Sequence, residues 1–337
     1  MAWKVVRTIP GTPLDEKEFR KIGAEYVEIP CATEEEIIAA TQDADAILTY
    51  LLPYTRRVIS NLKKVRLIHN TGTGYDGIDL KAATDYGIII SFPGDYCKQE
   101  VAEHTMALIL ACARKILRSD RLVRQGKWIS NAKTEFRKMW PPMFQLKGQT
   151  LGIIGLGRIG QLVVPKAKGF EMKVIAYDPY LPANIFEEVG AQSVDLDRLL
   201  SESDFVSVNS ALTSENRSLL GLEEFEKMKP TAYFINTARA DIADEQALVT
   251  ALERGYIAGA GLDVVKDEYV PPDHPLLKFD NVLVTAHSAY YSEQSTYEIK
   301  RRLYEAVASV LGGGWPEWWL NPEVKEKYLE KWGLKKS

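Results

Sequence analysis

The sequence predicts an α/β protein with two Rossmann-like or flavodoxin-like parallel-sheet domains, the nucleotide-binding domain being inserted into the substrate (catalytic) domain. Three observations carry this. Gly155-Leu156-Gly157-Arg158-Ile159-Gly160 follows an apolar run, Thr150–Ile154, and opens a helical stretch, Arg158–Phe170. Strand, G-x-G-x-x-G, helix is the dinucleotide-binding arrangement. The cluster begins at residue 155, whereas such a motif usually opens its domain, so the preceding residues form a unit of their own. After the last nucleotide-side strand, the helical segment Glu293–Leu311 reads as returning to that first unit. The expected domains are therefore 1–98 with 292–337, and 99–291, the latter carrying an arm at about 118–146.

The first unit alternates strand and helix: strand Trp3–Thr8, helix Leu14–Ile22, strand Glu25–Ile29, helix Thr33–Thr41, strand Ala46–Thr49. Strand Val65–Asn70, helix Leu80–Tyr86 and strand Ile88–Ser91 complete it. Such alternation implies a parallel sheet with covering helices. Val101, Ala102, Thr105, Leu108, Ile109, Cys112 and Ile116 recur near a 3.6 period and predict one helix over Glu100–Leu117. Residues 118–146 are polar and irregular, with Trp128, Trp140 and a Pro141-Pro142 break, as in a lid or an oligomer arm. Beyond the glycine cluster, Lys173–Tyr177, Phe205–Ser207, Tyr233–Asn236, Gly259–Val264 and Val282–Thr285 read as strands. Trp315, Trp318 and Trp319, past Gly312-Gly313-Gly314, read as a cluster pinning the tail to a core.

Composition narrows the function. A net charge of −4 favours neither nucleic acid nor an anionic membrane as partner. The longest apolar run, Met106–Ala113, is too short to span a bilayer, and the run at the N-terminus is too short for a signal peptide. Cys31, Cys97 and Cys112 show neither C-x-x-C spacing nor an even count, so reduced thiols in a cytoplasmic protein are expected. No His, Cys or Asp group has metal-ligand spacing.

The chemistry is expected at the carboxyl ends of the strands, where open α/β sheets bind ligands. Gly155 permits the tight turn, Gly157 lets a pyrophosphate approach, and Gly160 allows helix and strand to pack. The helix N-terminus then receives the phosphates. Asp178 ends the second strand, where a carboxylate holds a ribose 2′-hydroxyl. No Arg follows to take a 2′-phosphate, which favours NAD(H) over NADP(H). Arg239, Glu268 and His287 each sit just past a strand end. Arg can grip a carboxylate in a fork, His can exchange a hydroxyl proton, and a carboxylate behind the His favours its cation. Of the other histidines, His69 ends a strand and could approach the cleft, His104 reads as a packed core residue, and His274 lies in a Pro-rich surface loop.

At these residues the chain resembles the D-isomer-specific 2-hydroxyacid dehydrogenases. The motifs are Gly72-Thr73-Gly74-Tyr75-Asp76-Gly77-Ile78-Asp79, Val101-Ala102-Glu103-His104-Thr105, the glycine cluster, Met228-Lys229-Pro230 and Asn236-Thr237-Ala238-Arg239. Asp244-Glu245-Gln246-Ala247-Leu248, Gly261-Leu262-Asp263-Val264 and the segment around His287 continue them. The resemblance implies a catalytic trio of Arg239, Glu268 and His287, and a substrate carboxylate met by backbone N–H groups of Gly72, Thr73 and Gly74. It places Thr73, Thr105, Ser210, Ala211, Thr237, Ala238, Asp263, His287 and Ala289 with Gly155, Gly157, Arg158, Ile159, Gly160 and Asp178 around the cofactor. Asp263 would hold the nicotinamide carboxamide. It also implies a homodimer formed through the nucleotide domain and a small 2-keto or 2-hydroxy acid substrate. Departures from the family pattern are Ala240 for Gly, Ala211 for Pro, and Val265, Lys266 and Tyr269 around Glu268.

His287–Gln294 and Tyr177–Leu181 look like the branch that contains the C-terminal-binding corepressors, so an NADH-sensing scaffold is the alternative to an enzyme. A scaffold has no need of all three catalytic side chains, which this chain keeps, and the sequence favours the enzyme. Tyr50–Tyr54, Tyr96 and Tyr290-Tyr291 are expected to wall the substrate pocket, with Trp140 entering from a partner subunit.

Overall fold

The computed structural model of the chain describes residues 2–11, 13–126 and 142–334. By its contacts the chain divides into one unit of Met1–Tyr96 with Ser292–Ser337 and another of Cys97–Tyr291. Trp128 and Trp140, with residues 127–141 of the expected arm, lie outside the described residues.

In the first unit, short apolar runs form β1 (Trp3–Arg7), β2 (Ala24–Glu28), β3 (Ala46–Thr49), β4 (Leu67–Asn70) and β5 (Ile89–Ser91). They pair in parallel in the order β2-β1-β3-β4-β5. Successive residues serve opposite faces. Val6, Ile47, Ile68 and Ile90 pack with Ile37, Val58 and Ala82 of the covering helices. Val5, Leu48, Leu67 and Ile89 pack with Phe19, Leu303, Val307 and Val310. Strands buried on both faces read as unbroken hydrophobic runs, which is why they were legible. Helices Glu34–Thr41, Leu80–Asp85 and Glu293–Leu311 begin at Thr33, Asp79 and Ser292, whose side chains accept a first-turn N–H. Two short helices, Arg56–Asn61 and Lys325–Trp332, add to the expected set. The tail is pinned as its tryptophans suggest: Trp315 stacks near Trp319 and Tyr328, and the Arg66 guanidinium lies 3.9 Å over Trp332.

The second unit contains β6 (Thr150–Ile154), β7 (Lys173–Tyr177), β8 (Gln192–Ser193), β9 (Phe205–Val208), β10 (Tyr233–Asn236), β11 (Gly259–Leu262) and β12 (Val282–Val284). All pairings are parallel, in the order β12-β11-β10-β9-β6-β7-β8. The order reverses between β6 and β9, the switch point where doubly wound sheets take their ligand. The predicted helix over Glu100–Leu117 is two helices, Lys98–Arg114 and Ile116–Arg124, broken where Lys115 adopts φ 52°. The second helix buries none of its residues, and residues 118–124 of the segment expected to be irregular are helical. No helix among the described residues is long and apolar enough to cross a membrane.

Two histidines outside the candidate site differ from expectation. His69 is fully buried inside the first unit, its Nδ1 2.7 Å from Ser91 Oγ, and does not face a cleft. His274 is buried rather than in a surface loop, and its Nδ1 accepts the Leu276 N–H. Burial pushes the His69 pKa down to about 3, below the ordinary histidine value. The unfolded chain therefore binds a proton that the folded chain refuses between about pH 6.5 and 3, and stability falls as pH drops through that window. At one group this is worth on the order of 4 kcal/mol. Chemical denaturation across this range should show a shallower acid loss in His69→Gln than in wild type; parallel curves would remove His69 as the cause.

Candidate active site

The loops leaving β6, β7, β9, β10, β11 and β12 carry the expected residues of the second unit apart from Thr105, which lies on helix Lys98–Arg114. After β6, each glycine has its own physical reason. Gly155 has φ +89°, and a Cβ there would lie 2.6 to 2.7 Å from Ser210 in the loop after β9. A Cβ on Gly160 would collide with the Gly155 carbonyl oxygen, so that glycine serves helix–strand packing. At Gly157 a Cβ would meet nothing within 4 Å, and its backbone is not left-handed. Neither strain nor packing demands glycine there, which leaves space for a guest as the reason.

Other features suit a dinucleotide. Helix Gly160–Gly169 begins at Ile159 without a side-chain cap, leaving first-turn N–H groups for an anion. Asp178 is fixed against the glycine turn, one oxygen accepting the Leu156 N–H at 2.9 Å and the other the Tyr180 N–H at 3.1 Å. At the switch point the buried Nδ2 of Asn209 has no acceptor among the described residues, although its Oδ1 accepts from Ser207. Ser210 is half-buried and Ala211 exposed, with the Ala211 carbonyl held by the Asn216 amide. Arg158 is exposed and Ile159 half-buried on the same loop.

His287 and Glu268 meet. Nδ1 of His287 is 2.7 Å from Oε2 of Glu268, and both side chains are partly open to solvent. Both residues have positive φ, 48° and 52°, conformations that cost a non-glycine residue about 1–3 kcal/mol and persist only where the surroundings enforce them. For His287 the enforcing group is Asp263, whose carboxylate accepts from Thr285 Oγ1 at 2.5 Å and from the Ser288 and Ala289 N–H groups at 2.9 Å. Its backbone carbonyl takes the His287 N–H. Asp263, expected at the nicotinamide carboxamide, is 1% exposed and here organises the 285–289 loop. His104, expected as a core residue, is partly exposed and joins this network, its Nε2 2.9 Å from Thr285 Oγ1 and 3.5 Å from Asp263 Oδ1.

Arg239 is set by a turn that sequence reasoning overlooked. The Asn236 side chain accepts the Ala238 N–H and donates to the Arg239 carbonyl, both at 2.9 Å, wrapping Thr237-Ala238-Arg239 around itself. The Arg239 guanidinium donates to the Ala238 carbonyl at 2.7 Å. Ala240 opens a 3₁₀ turn without positive φ, so its methyl is accommodated. Thr105, expected at the cofactor, is enclosed; its hydroxyl donates to the Val101 carbonyl and pairs with Thr237 Oγ1 at 2.8 Å, backing Thr237 from behind. Since β11 separates β10 from β12, Arg239 and His287 leave strands about 10 Å apart.

In the first unit, Gly72-Thr73-Gly74 follows β4. The Asn70 amide takes the Gly72 and Gly74 carbonyls at 2.6 and 2.8 Å, and Thr73 is exposed. Asn70 carries no motif signal of its own, so its role was invisible in the sequence. Tyr54, expected to wall the substrate pocket, is fully buried with its hydroxyl 3.1 Å from Thr8 Oγ1, and leaves that list. Tyr290 and Tyr291 are exposed, their rings edge to face.

Residues 106–289 match the model of the NAD binding domain of D-isomer specific 2-hydroxyacid dehydrogenases. The chain belongs to this family. It is 40% identical over 280 residues to a glyoxylate reductase of Korarchaeum cryptofilum, covering 82% of this chain and 81% of that one. A D-3-phosphoglycerate dehydrogenase of Methanocaldococcus jannaschii is 37% identical over 333 residues, 97% of this chain and 62% of that protein. The solved structure of D-lactate dehydrogenase from Aquifex aeolicus, complexed with NAD and lactic acid, superposes with TM-score 0.80 at 28% identity, covering 92% of this chain and 96% of that one. This 2-hydroxyacid dehydrogenase is thus an oxidoreductase acting on a CH–OH group with a nicotinamide cofactor.

Binding and folding should part at Gly157 and Gly155. Gly157→Ala should keep stability within about 0.5 kcal/mol yet weaken NADH binding at least about tenfold. Gly155→Ala should lose about 2 kcal/mol or more. Urea melts and NADH fluorescence titrations read both, and normal NADH affinity in Gly157→Ala would remove the pyrophosphate from that cradle.

Proposed function

We propose that this protein is an NAD(H)-dependent D-2-hydroxyacid dehydrogenase that reduces a small 2-keto acid of the glyoxylate class. The observation that carries the reading is the His287–Glu268 pair at 2.7 Å beside the loop of Arg239. The names of the relatives support the substrate class. Asp178, poised at the glycine turn and followed by Pro179 rather than Arg, supports NAD over NADP.

The bound reduced nicotinamide supplies the hydride. With Nδ1 engaged by Glu268, His287 has Nε2 left to donate a proton to the carbonyl oxygen, and the Glu268 carboxylate stabilises the imidazolium that precedes that donation. Arg239 grips the substrate carboxylate and polarises the adjacent carbonyl. Gly72, Thr73 and Gly74 are proposed to add backbone N–H groups to the same carboxylate, their turn held by Asn70. Asp263 acts through the backbone that carries His287.

We also propose a cytoplasmic homodimer formed through the nucleotide unit. Ile116 and Val123 stand 55% and 44% exposed on a helix with no buried residue among the described residues, and Cys31, Cys97 and Cys112 form no disulfide. Light scattering after size-exclusion chromatography should report twice the chain mass, and a lower mass for Ile116→Glu/Val123→Glu.

The decisive assay follows NADH or NADPH consumption with glyoxylate, hydroxypyruvate, phenylpyruvate and sugar-derived keto acids. Turnover should favour NADH and a small keto acid. His287→Ala should lose about 10²–10⁴-fold in kcat, and Glu268→Gln a smaller factor with KM little changed. NADH binding without turnover on every acid would turn the reading toward a cofactor-sensing scaffold.

A further inference from the structure

Where β6, β9, β10 and β11 begin, at the end of the second unit's sheet opposite the glycine loop, lies a cavity of about 300 Å³. That volume falls in the range of small-molecule sites. Much of its wall is apolar, including Phe144, Phe205, Leu252 and Ile257. Among the described residues two charged ones line it, Asp204 and Lys115. Asp204 is committed: one oxygen accepts from Lys229 Nζ at 2.9 Å, the other from the Thr150 N–H at 2.8 Å.

Lys115 is different. It sits at the left-handed break between two helices and is 8% exposed. Its ammonium lies 4.0 Å from the centroid of the Tyr233 ring and has no hydrogen bond or ion pair among the described residues. Burial lowers its pKa to about 8. Gln149, on the same wall, has a buried Oε1 with no donor among the described residues. The cavity therefore presents a cationic donor lacking an anion and an acceptor lacking a donor, between hydrophobic surfaces.

We propose that this cavity is a second ligand site for a small carboxylate with an apolar body, its carboxylate on the Lys115 ammonium and its own hydroxyl or amine donating to Gln149 Oε1. A water molecule would satisfy the amide oxygen but not the buried charge. The Tyr233 face compensates that charge in part, and a carboxylate adds charge-assisted hydrogen bonds. Polyanions fit poorly, because one uncommitted cation stands beside the Asp204 carboxylate. The site is independent of the reaction proposed above and lies away from its residues along every strand.

Calorimetric titration of the full chain with 4-(hydroxymethyl)benzoate and 4-ethylbenzoate tests this, since neither is a 2-hydroxy acid. The hydroxymethyl compound should bind saturably, with Kd near or below about 1 mM. It should bind about tenfold more weakly in Lys115→Met, and more weakly at about pH 9.5 than at about pH 7 as the ammonium discharges. Gln149→Leu should abolish its advantage over the ethyl compound, and Arg239→Leu should change nothing. Absence of saturable heat, undiminished affinity in Lys115→Met, or loss of binding in Arg239→Leu would each overturn the proposal. Should Lys115→Met fail to fold, Gln149→Leu and the pH comparison decide it.

Discussion

The buried carboxylate of Asp263 is the constraint from which the geometry of the His287 loop follows. It belongs to the exit of β11, yet its hydrogen-bond donors are Thr285, Ser288 and Ala289, beyond β12. Two neighbouring strand exits are thereby tied through one charged group. A carboxylate at 1% exposure is tolerable because each hydrogen bond to it is charge-assisted, worth about 1.5–3 kcal/mol. The bonds also fix the peptides on the far side of His287, while the Asp263 carbonyl holds the near side. His287 is left no relaxed conformation, and its positive φ is the consequence. A strained histidine held from both sides presents its ring in one direction, which is what proton transfer to a fixed substrate oxygen requires.

The sheet supplies the second half of the arrangement. Parallel strands point every carboxyl end the same way, so residues distant in sequence share one rim without any long-range pairing between them. Gly155 and Ser210 approach so closely because β6 and β9 are neighbours at the reversal of strand order, and Gly155 must do without a side chain there. Gly157, free of both strain and crowding, marks what the chain leaves open rather than what it fills.

Much of this was legible in the sequence, for identifiable reasons. Strands buried on both faces announce themselves as apolar runs, and the glycine cluster declares the turn. The trio Arg239, Glu268 and His287 showed as polar residues just past strand ends. Legibility failed where a residue's environment is decided by distant chain. His104 has apolar neighbours along its helix, yet its ring meets Thr285. His274 stands among prolines, which suggests a surface loop, but its nitrogen caps the turn Pro275–Lys278. Tyr54 lies in a tyrosine-bearing stretch that suggests a pocket, yet its hydroxyl is taken by Thr8 across the sheet. The helix break at Lys115 has neither Gly nor Pro to signal it, and the helix after it is short and has none of its residues buried.

The loop around Glu268 shows how a site tolerates unusual neighbours. Val265, Lys266 and Tyr269 all depart from the family pattern, and each is accounted for without moving the Glu268 carboxylate. Val265 joins the hydrophobic core, and Tyr269 stands 67% exposed. The Lys266 N–H donates to Glu245 Oε2 at 3.0 Å, while Glu245 Oε1 lies 3.5 Å from His274 Nε2. One carboxylate on helix Glu245–Arg254 thus reaches the loop on both sides of Glu268, before it at Lys266 and after it at His274. Glu268 holds its positive φ between neighbours anchored on either side of it. The backbone anchors, not the identities of the adjacent side chains, hold the carboxylate within reach of His287.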